Sequence, residues 1–243
     1  HFVSLIILLT IMKKVLYVLH QKTSVSGDVG NKFKKRGYAE EIIRPPLGET
    51  LPNNLSKYSA IVIFGGPMSV NDDEEFIRDE IKWMKKVIES KIPFLGICLG
   101  AQILAKYLGC DVVKNKNDLA EIGFYKIKPV GEGDKIFKNH SIFYQFHTEG
   151  FEIPAGCQIL ARGEVFQNQA FKYKNCYALQ FHPEVNFILH IKWIILVLFK
   201  KPKTLFQTGS QNLFYQFYLR FKYNKSVSEW LDSFFDDYFL ATK

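Results

Sequence analysis

Apolar residues gather into short runs through the first hundred positions. Val15 to Leu19, Ala60 to Phe64 and Phe94 to Ile97 are continuous, and Ala39 to Arg44 is a more polar run stopped by Pro45-Pro46. Unbroken runs of this length read as strands buried on both faces, the habit of parallel sheets. Between them the period changes. Gly27 to Gly30 leads into a basic helix closed by Gly37. From Asp72 to Ser90 the residues Ile77, Ile81, Met84 and Ile88 fall on one helical stripe, with acids crowding its start and lysines its end, as the helix dipole favours. Ile103, Leu104 and Leu108 keep helical spacing after Cys98, and Gly109 is placed to end that helix. Alternating strands and helices predict an α/β fold with an open, mostly parallel sheet and ligand groups at the carboxyl ends of its strands.

The grain changes after Gly109. Ile122 to Lys128, Ile142 to Phe146, Gln158 to Ala161, Ala170 to Tyr173 and Cys176 to Phe181 are short strands between Gly, Asn or Pro turns. They predict added antiparallel strands. Phe187 to Phe199 is apolar almost all round, but it falls short of the roughly 20 residues a membrane span needs, and Lys192 interrupts it. It is expected to be a helix packed on the sheet, with an interfacial or partner-binding helix as the alternative. Ser226-Val-Ser-Glu229 reads as a capping box starting a last helix through Leu240, with Trp230, Leu231, Phe234 and Phe235 available to pack. His1 to Ile11 is apolar ahead of Met12, with neither the charge order nor the cleavage site of a secretory signal. It is read as an upstream extension outside the fold.

The chemistry centres on Gly96-Ile-Cys98-Leu-Gly100. Small residues two positions either side of the cysteine allow a tight strand-to-helix turn that lifts the thiol above the sheet edge. The following helix start favours thiolate over thiol. A buried structural cysteine would look the same locally. A thiolate nucleophile needs a base and an orienter. Phe181-His182-Pro-Glu184-Val185 offers both, with the carboxylate two residues after the imidazole. Gly65-Gly66-Pro67, at the end of a buried strand, can present bare backbone N–H groups. With the N–H of Leu99, the Gly66 N–H suits an oxyanion hole.

Together these motifs resemble the class I (Cys-His-Glu) glutamine amidotransferases, and among them the stand-alone proteins similar to the amidotransferase domain of GMP synthase. The residues that carry the resemblance are Gly65-Gly-Pro-Met-Ser69, Gly96-Ile-Cys98-Leu-Gly-Ala-Gln102 and Phe181-His-Pro-Glu-Val185, in that order. Tyr144-Gln-Phe-His147-Thr-Glu149 looks like the family's substrate-side segment, with Phe146 where the family usually has Trp and an unusual Thr148. The resemblance implies a three-layer, flavodoxin-like fold. It implies Cys98, His182 and Glu184 as the catalytic residues, with Gln102 and His147 at the glutamine pocket. It further implies hydrolysis of the L-glutamine side-chain amide through a cysteine thioester without a cofactor, the ammonia passing to an acceptor or to a separate ATP-using synthetase. A γ-glutamyl hydrolase or peptidase with the same triad, and a non-catalytic regulatory subunit, remain the other readings. On this view residues 12–186 form the amidotransferase domain and 187–243 a C-terminal helical extension packed on it.

Composition changes this picture little. Hydrophobic residues at 47% suffice for a core, and aromatics reach 15%, with 22 Phe. The net charge of +8 would admit nucleic acid, but the lysines are scattered and no nucleic-acid motif frames them. From Lys192 to Lys225 no acid occurs among several cations. That stretch is expected to be a solvated face, the alternatives being an acidic partner or a membrane surface. Cys98, Cys110, Cys157 and Cys176 have neither zinc nor disulfide spacing, which fits a reducing cytoplasm and no metal.

Overall fold

The computed structural model describes residues 13–241, so the segment before Met12 lies outside the described residues. Strands β1 (Lys14–Val18), β2 (Ala39–Ile43), β3 (Ala60–Ile63), β4 (Phe94–Ile97), β7 (Lys128–Pro129), β10 (Gln158–Arg162), β11 (Asn168–Tyr173) and β12 (Cys176–Leu179) form one eight-stranded sheet. Its order is β2-β1-β3-β4-β12-β11-β10-β7. The first five of these run parallel, and β11, β10 and β7 continue antiparallel. The last sheet strand before His182 is therefore not one of the antiparallel additions. β12 lies parallel beside β4, with Leu179 opposite Ile97, because a buried apolar run can pair on both edges.

Alternation along the strands divides the core into two faces. Val15 and Tyr17 of β1, Val62 of β3 and Leu95 of β4 point to one side, where they meet Val29 and Phe33 of helix α1 (Gly27–Lys35). Leu16, Val18, Ile61, Ile63 and Phe94 point to the other, against α2 (Glu75–Ser90) and α3 (Leu99–Tyr107). The result is three layers. The buried face of α2 carries Ile77, Glu80, Trp83, Met84 and Val87, so it is rotated from the expected stripe, and Ile81 and Ile88 are only half-buried. A buried glutamate defeats a reading from apolar spacing. After α3, Gly109 at φ 88° takes the left-handed turn, as expected.

Two short pairs cap the carboxyl edge. β5 (Val112–Lys114) pairs with β9 (Glu149–Phe151), and β6 (Glu121–Lys126) pairs with β8 (Ile142–His147), both antiparallel. The short helix α4 (Gly133–Ile136) lies between β7 and β8. Helix α5 (Phe187–Lys200) is capped by Asn186, whose side chain accepts from the Leu189 N–H. It packs on the β6–β8 pair rather than on the large sheet, with Leu189 against Phe124 and Tyr144, and Ile194 against Ala120 and Ile122. Its far end leaves Phe199 exposed.

The capping box at Ser226 does not start a helix. Helix α6 runs unbroken from Leu213 to Phe234, starting at Asn212, whose side chain accepts from the Phe214 and Tyr215 N–H groups. Residues 213–225 contain no Gly or Pro to stop it, and Ser226 Oγ instead donates back to the Tyr223 carbonyl at 3.1 Å. The expected packing residues do pack. Trp230 stacks on Phe137 and donates from Nε1 to the Ile136 carbonyl at 2.8 Å, while Phe234 and Phe235 reach Tyr177 and Phe33.

Candidate active site

Cys98 sits one residue beyond β4 and caps α3, at φ 50° and ψ −104°. A side-chain-bearing residue adopts that conformation only when its surroundings impose it. The glycines around it show how. A Cβ on Gly96 would lie 2.6 Å from the Gly100 carbonyl carbon, and one on Gly100 would lie 2.2 Å from the Ile63 carbonyl oxygen. Strand and helix thus meet at backbone contact, and the Cys98 N–H is fixed to the Leu179 carbonyl of β12 at 2.8 Å. The thiol lies at the start of α3, on the positive end of its dipole.

His182 comes three residues after β12, and its N–H is held by the Tyr144 carbonyl of β8 at 2.8 Å. The parallel pairing of β4 and β12 is what brings thiol and imidazole to the same sheet edge. A Cβ on Gly65 would stand 2.8 Å from His182 Cε1 and 3.4 Å from Cys98 Cβ, so ring and cysteine face each other across the bare glycine. Nδ1 of His182 is 2.8 Å from Glu184 Oε1, and Nε2 is buried with no hydrogen-bond partner among the described residues. Since the carboxylate can only accept, Nδ1 carries the proton and Nε2 is the nitrogen left for chemistry. Burial alone would push this imidazole down. The charges of Glu184 and Cys98 outweigh it and raise the ring to about 10, so it is cationic at neutral pH. Glu184 is itself fixed through its backbone, whose carbonyl accepts from the Asp28 N–H at the start of α1. Trp193 of α5 stands edge-on to the His182 ring, centroids 5.0 Å apart.

A cavity of about 490 Å³ opens over these groups. Cys98, His182, Gly66, Leu99, Gln102 and His147 all line it, so the structure gathers six of the seven expected residues at its wall, with Glu184 behind. Gln102 and His147 are not free in the cavity. Gln102 Nε2 and His147 Nδ1 both donate to the Glu149 carbonyl, at 3.1 and 2.9 Å, and His147 Nε2 lies 3.0 Å from Glu121 Oε2. They hold the β9 edge in place, and the Glu149 carboxylate accepts from Ser69 Oγ at 2.6 Å on the cavity wall.

Three residues here escape a reading of motifs. Gln180, buried, donates from Nε2 to Cys98 Sγ at 3.7 Å. Its place just before Phe181-His182 was the only signal. Trp193 lay inside a segment read as plain packing. Arg220 of α6 is buried with its guanidinium between Phe124 and Tyr144, 4.7 and 5.1 Å from the ring centroids. Burial lowers it to about 10, against the charges of Tyr144 and Glu184. The other thiols lie elsewhere. Burial pushes Cys110 up, Cys157 to about 11 and Cys176 to about 12.

A thiol on a strained turn, an imidazole beside it and a carboxylate holding the far ring nitrogen, on a doubly wound sheet, are groups able to carry out nucleophilic acyl transfer. The chain belongs to the class I glutamine amidotransferase family, whose profile matches residues 18–193. It is 33% identical over 137 residues to one of the subunits of the glutamine-hydrolysing GMP synthase of Saccharolobus solfataricus, covering 54% of this chain and 70% of that one. It spans only about a quarter of the length of whole GMP synthases, as with the one from Flavobacterium psychrophilum, matched at 29% identity over 27% of its length and 56% of this chain. Among solved structures, a glutamine amidotransferase from Thermotoga maritima superposes with a TM-score of 0.84 at 27% identity, over 95% of this chain and 99% of that one. The fold is therefore that of the class I amidotransferases, as expected.

Proposed function

We propose that this protein hydrolyses the side-chain amide of L-glutamine through a thioester on Cys98 and releases ammonia. One observation carries the reading: His182 is bound through Nδ1 to Glu184, and its ring, with Nε2 buried and unpartnered among the described residues, stands beside the strained Cys98 turn. The Cys98 thiolate attacks the amide carbon, and the oxygen gains negative charge beside the Gly66 and Leu99 N–H groups. The imidazolium of His182 gives its Nε2 proton to the departing nitrogen, which leaves as ammonia. Neutral His182 then takes a proton from water as the water attacks the thioester, and glutamate leaves from a restored thiolate–imidazolium pair. Glu184 keeps its bond to Nδ1 and holds the ring. The Glu149 carboxylate on the cavity wall is a counter-charge for the substrate's α-ammonium.

The ammonia serves an acceptor or a separate ATP-using synthetase, the reading supported by the likeness to a single subunit of a GMP synthase. A second reading has one observation of its own. The cavity continues past Cys98 to Lys114, Lys200 and Lys201, more room than glutamine needs, which suits a longer γ-glutamyl amide. Ammonia release from glutamine by the parent, abolished in Cys98→Ser, tests the first reading. Faster cleavage of a γ-glutamyl dipeptide than of glutamine would replace it with the second.

A further inference from the structure

Glu80 and His20 carry side chains with no exposed area at all, and neither belongs to the triad. His20 follows β1, and Glu80 lies on the inward face of α2. His20 Nε2 stands 3.2 and 3.1 Å from the two carboxylate oxygens of Glu80, and Nδ1 stands 3.3 Å from the Gly65 carbonyl oxygen. A carbonyl can only accept, so Nδ1 carries the proton of that bond. The Phe76 ring packs beside the imidazole, centroids 6.4 Å apart. The ring is thus an arm from a buried carboxylate to one backbone oxygen. Burying an acid is costly unless it is paired. An apolar residue at position 80 would avoid that cost, so the pair calls for a role beyond packing.

The oxygen it holds belongs to the Gly65–Gly66 peptide. No peptide bond among the described residues is cis, and in a trans peptide the C=O and N–H point in opposite directions. Drawing the Gly65 oxygen toward His20 therefore aims the Gly66 N–H away from it. His20 does not line the cavity, whereas Gly66, Leu99 and Cys98 do. The two glycines thread a narrow gap. A Cβ on Gly66 would lie 2.9 Å from His20 Cβ and 2.6 Å from Met68 Sδ, and one on Gly65 would meet His182. Only glycine fits here, yet a Gly–Gly peptide has little preference of its own for one orientation. Something outside the loop must set it.

The geometry points to His20 and Glu80 as positioning residues that lock the Gly65–Gly66 peptide with its N–H toward the oxyanion site beside Cys98. This rests on the thioester chemistry proposed above, with the Gly66 N–H as an oxyanion donor. Glu80 fixes the ring, the ring fixes the carbonyl, and the carbonyl fixes the donor.

The test compares two reactions of Cys98. Acylation by p-nitrophenyl acetate develops an oxyanion and needs the donors, whereas alkylation by iodoacetamide does not. His20→Leu cannot donate to Gly65, while His20→Asn places an amide N–H near the position of Nδ1. Both leave Glu80 unpaired, so a loss of stability is common to the two. Because deleting an oxyanion donor outright costs about 100- to 1,000-fold, a mis-aimed one should lower the acylation-to-alkylation ratio of His20→Leu about 10- to 100-fold. His20→Asn should stay near the parent. Glu80→Gln, which keeps the side-chain shape, should lower the ratio in the same direction and serves where His20→Leu does not fold. An unchanged ratio in His20→Leu and Glu80→Gln overturns the inference, as does a loss in His20→Asn equal to that in His20→Leu. The ratio does not depend on the natural amide. A parent that releases no ammonia from glutamine would refute the proposed function and leave this ratio to be read on its own.

Discussion

Replacing Glu184 by glutamine removes one negative charge and leaves the shape of the site nearly intact. In the parent His182 is 3% exposed, and burial disfavours its charged form. The charges of Glu184 and Cys98 reverse that and carry the ring from 6.5 to about 10, a preference for the imidazolium of about 5 kcal/mol at 1.36 kcal/mol per unit. The amide supplies no such charge, and it can offer an N–H to Nδ1, which would turn the ring to the wrong tautomer. In the chemistry proposed above, release of ammonia needs the imidazolium, so the alkaline limit should mark the loss of the Nε2 proton. The parent should hold its rate up to about pH 10, and Glu184→Gln should lose it at a lower pH, because burial is then opposed by Cys98 alone. At neutral pH kcat should fall about 100- to 10,000-fold, the range between losing one acid–base contribution and losing an orienting carboxylate. Coupled ammonia assays across pH 6 to 11 read both effects. A kcat within about threefold of the parent, with an unmoved alkaline limb, would refute the reasoning about this carboxylate.

Iodoacetamide at neutral pH should label Cys98 first, because burial keeps the Cys110, Cys157 and Cys176 thiols protonated; peptide mapping of the first adduct checks this. His182→Ala should be at least as damaging to turnover as Glu184→Gln and should also slow that alkylation, since the thiolate loses its cation. Trp230→Ala should destabilise the protein by about 3–5 kcal/mol, measured by urea unfolding, because it empties the space between Phe137, Phe143 and Phe234 and orphans the Ile136 carbonyl. Burial, aided by Arg220, holds His190 down to about 4. The unfolded chain therefore takes up a proton first as pH falls, so stability from this group is full above pH 6.5 and is lost on the way to about pH 4. As pH falls over that window the parent should lose melting temperature relative to His190→Phe, and a difference that stays constant with pH would contradict it.

The first half of the fold was legible because its elements obey one rule each. Continuous apolar runs became the central parallel strands, and Cys98 was found because glycines at 96 and 100 have a steric meaning that the backbone contacts bear out. What escaped was governed by partners far along the chain. Glu80 looks like a surface residue until His20, 60 positions away, is placed against it. The short strands β5 and β9 carry too few residues for a pattern, and they exist through pairing with each other. Ser226 shows the opposite error, a local signal overruled by a helix already running from Asn212. At the site, Gly66 and Leu99 followed from the glycine turn and the cysteine elbow, Gln102 and His147 were readable only through family resemblance, and the structure gathers all four at one cavity wall. Gln180 carried no motif of its own.

In the proposed reaction Cys98 takes the γ-glutamyl group from an amide. The most direct measurement is rapid acid quenching of the protein during turnover of L-glutamine, followed by mass spectrometry of its peptides. One γ-glutamyl group should appear on the Cys98 peptide, accumulating before steady state and absent from Cys98→Ser. Ammonia released while Cys98 stays unmodified, or the acyl group found on Cys110, Cys157 or Cys176, would contradict it.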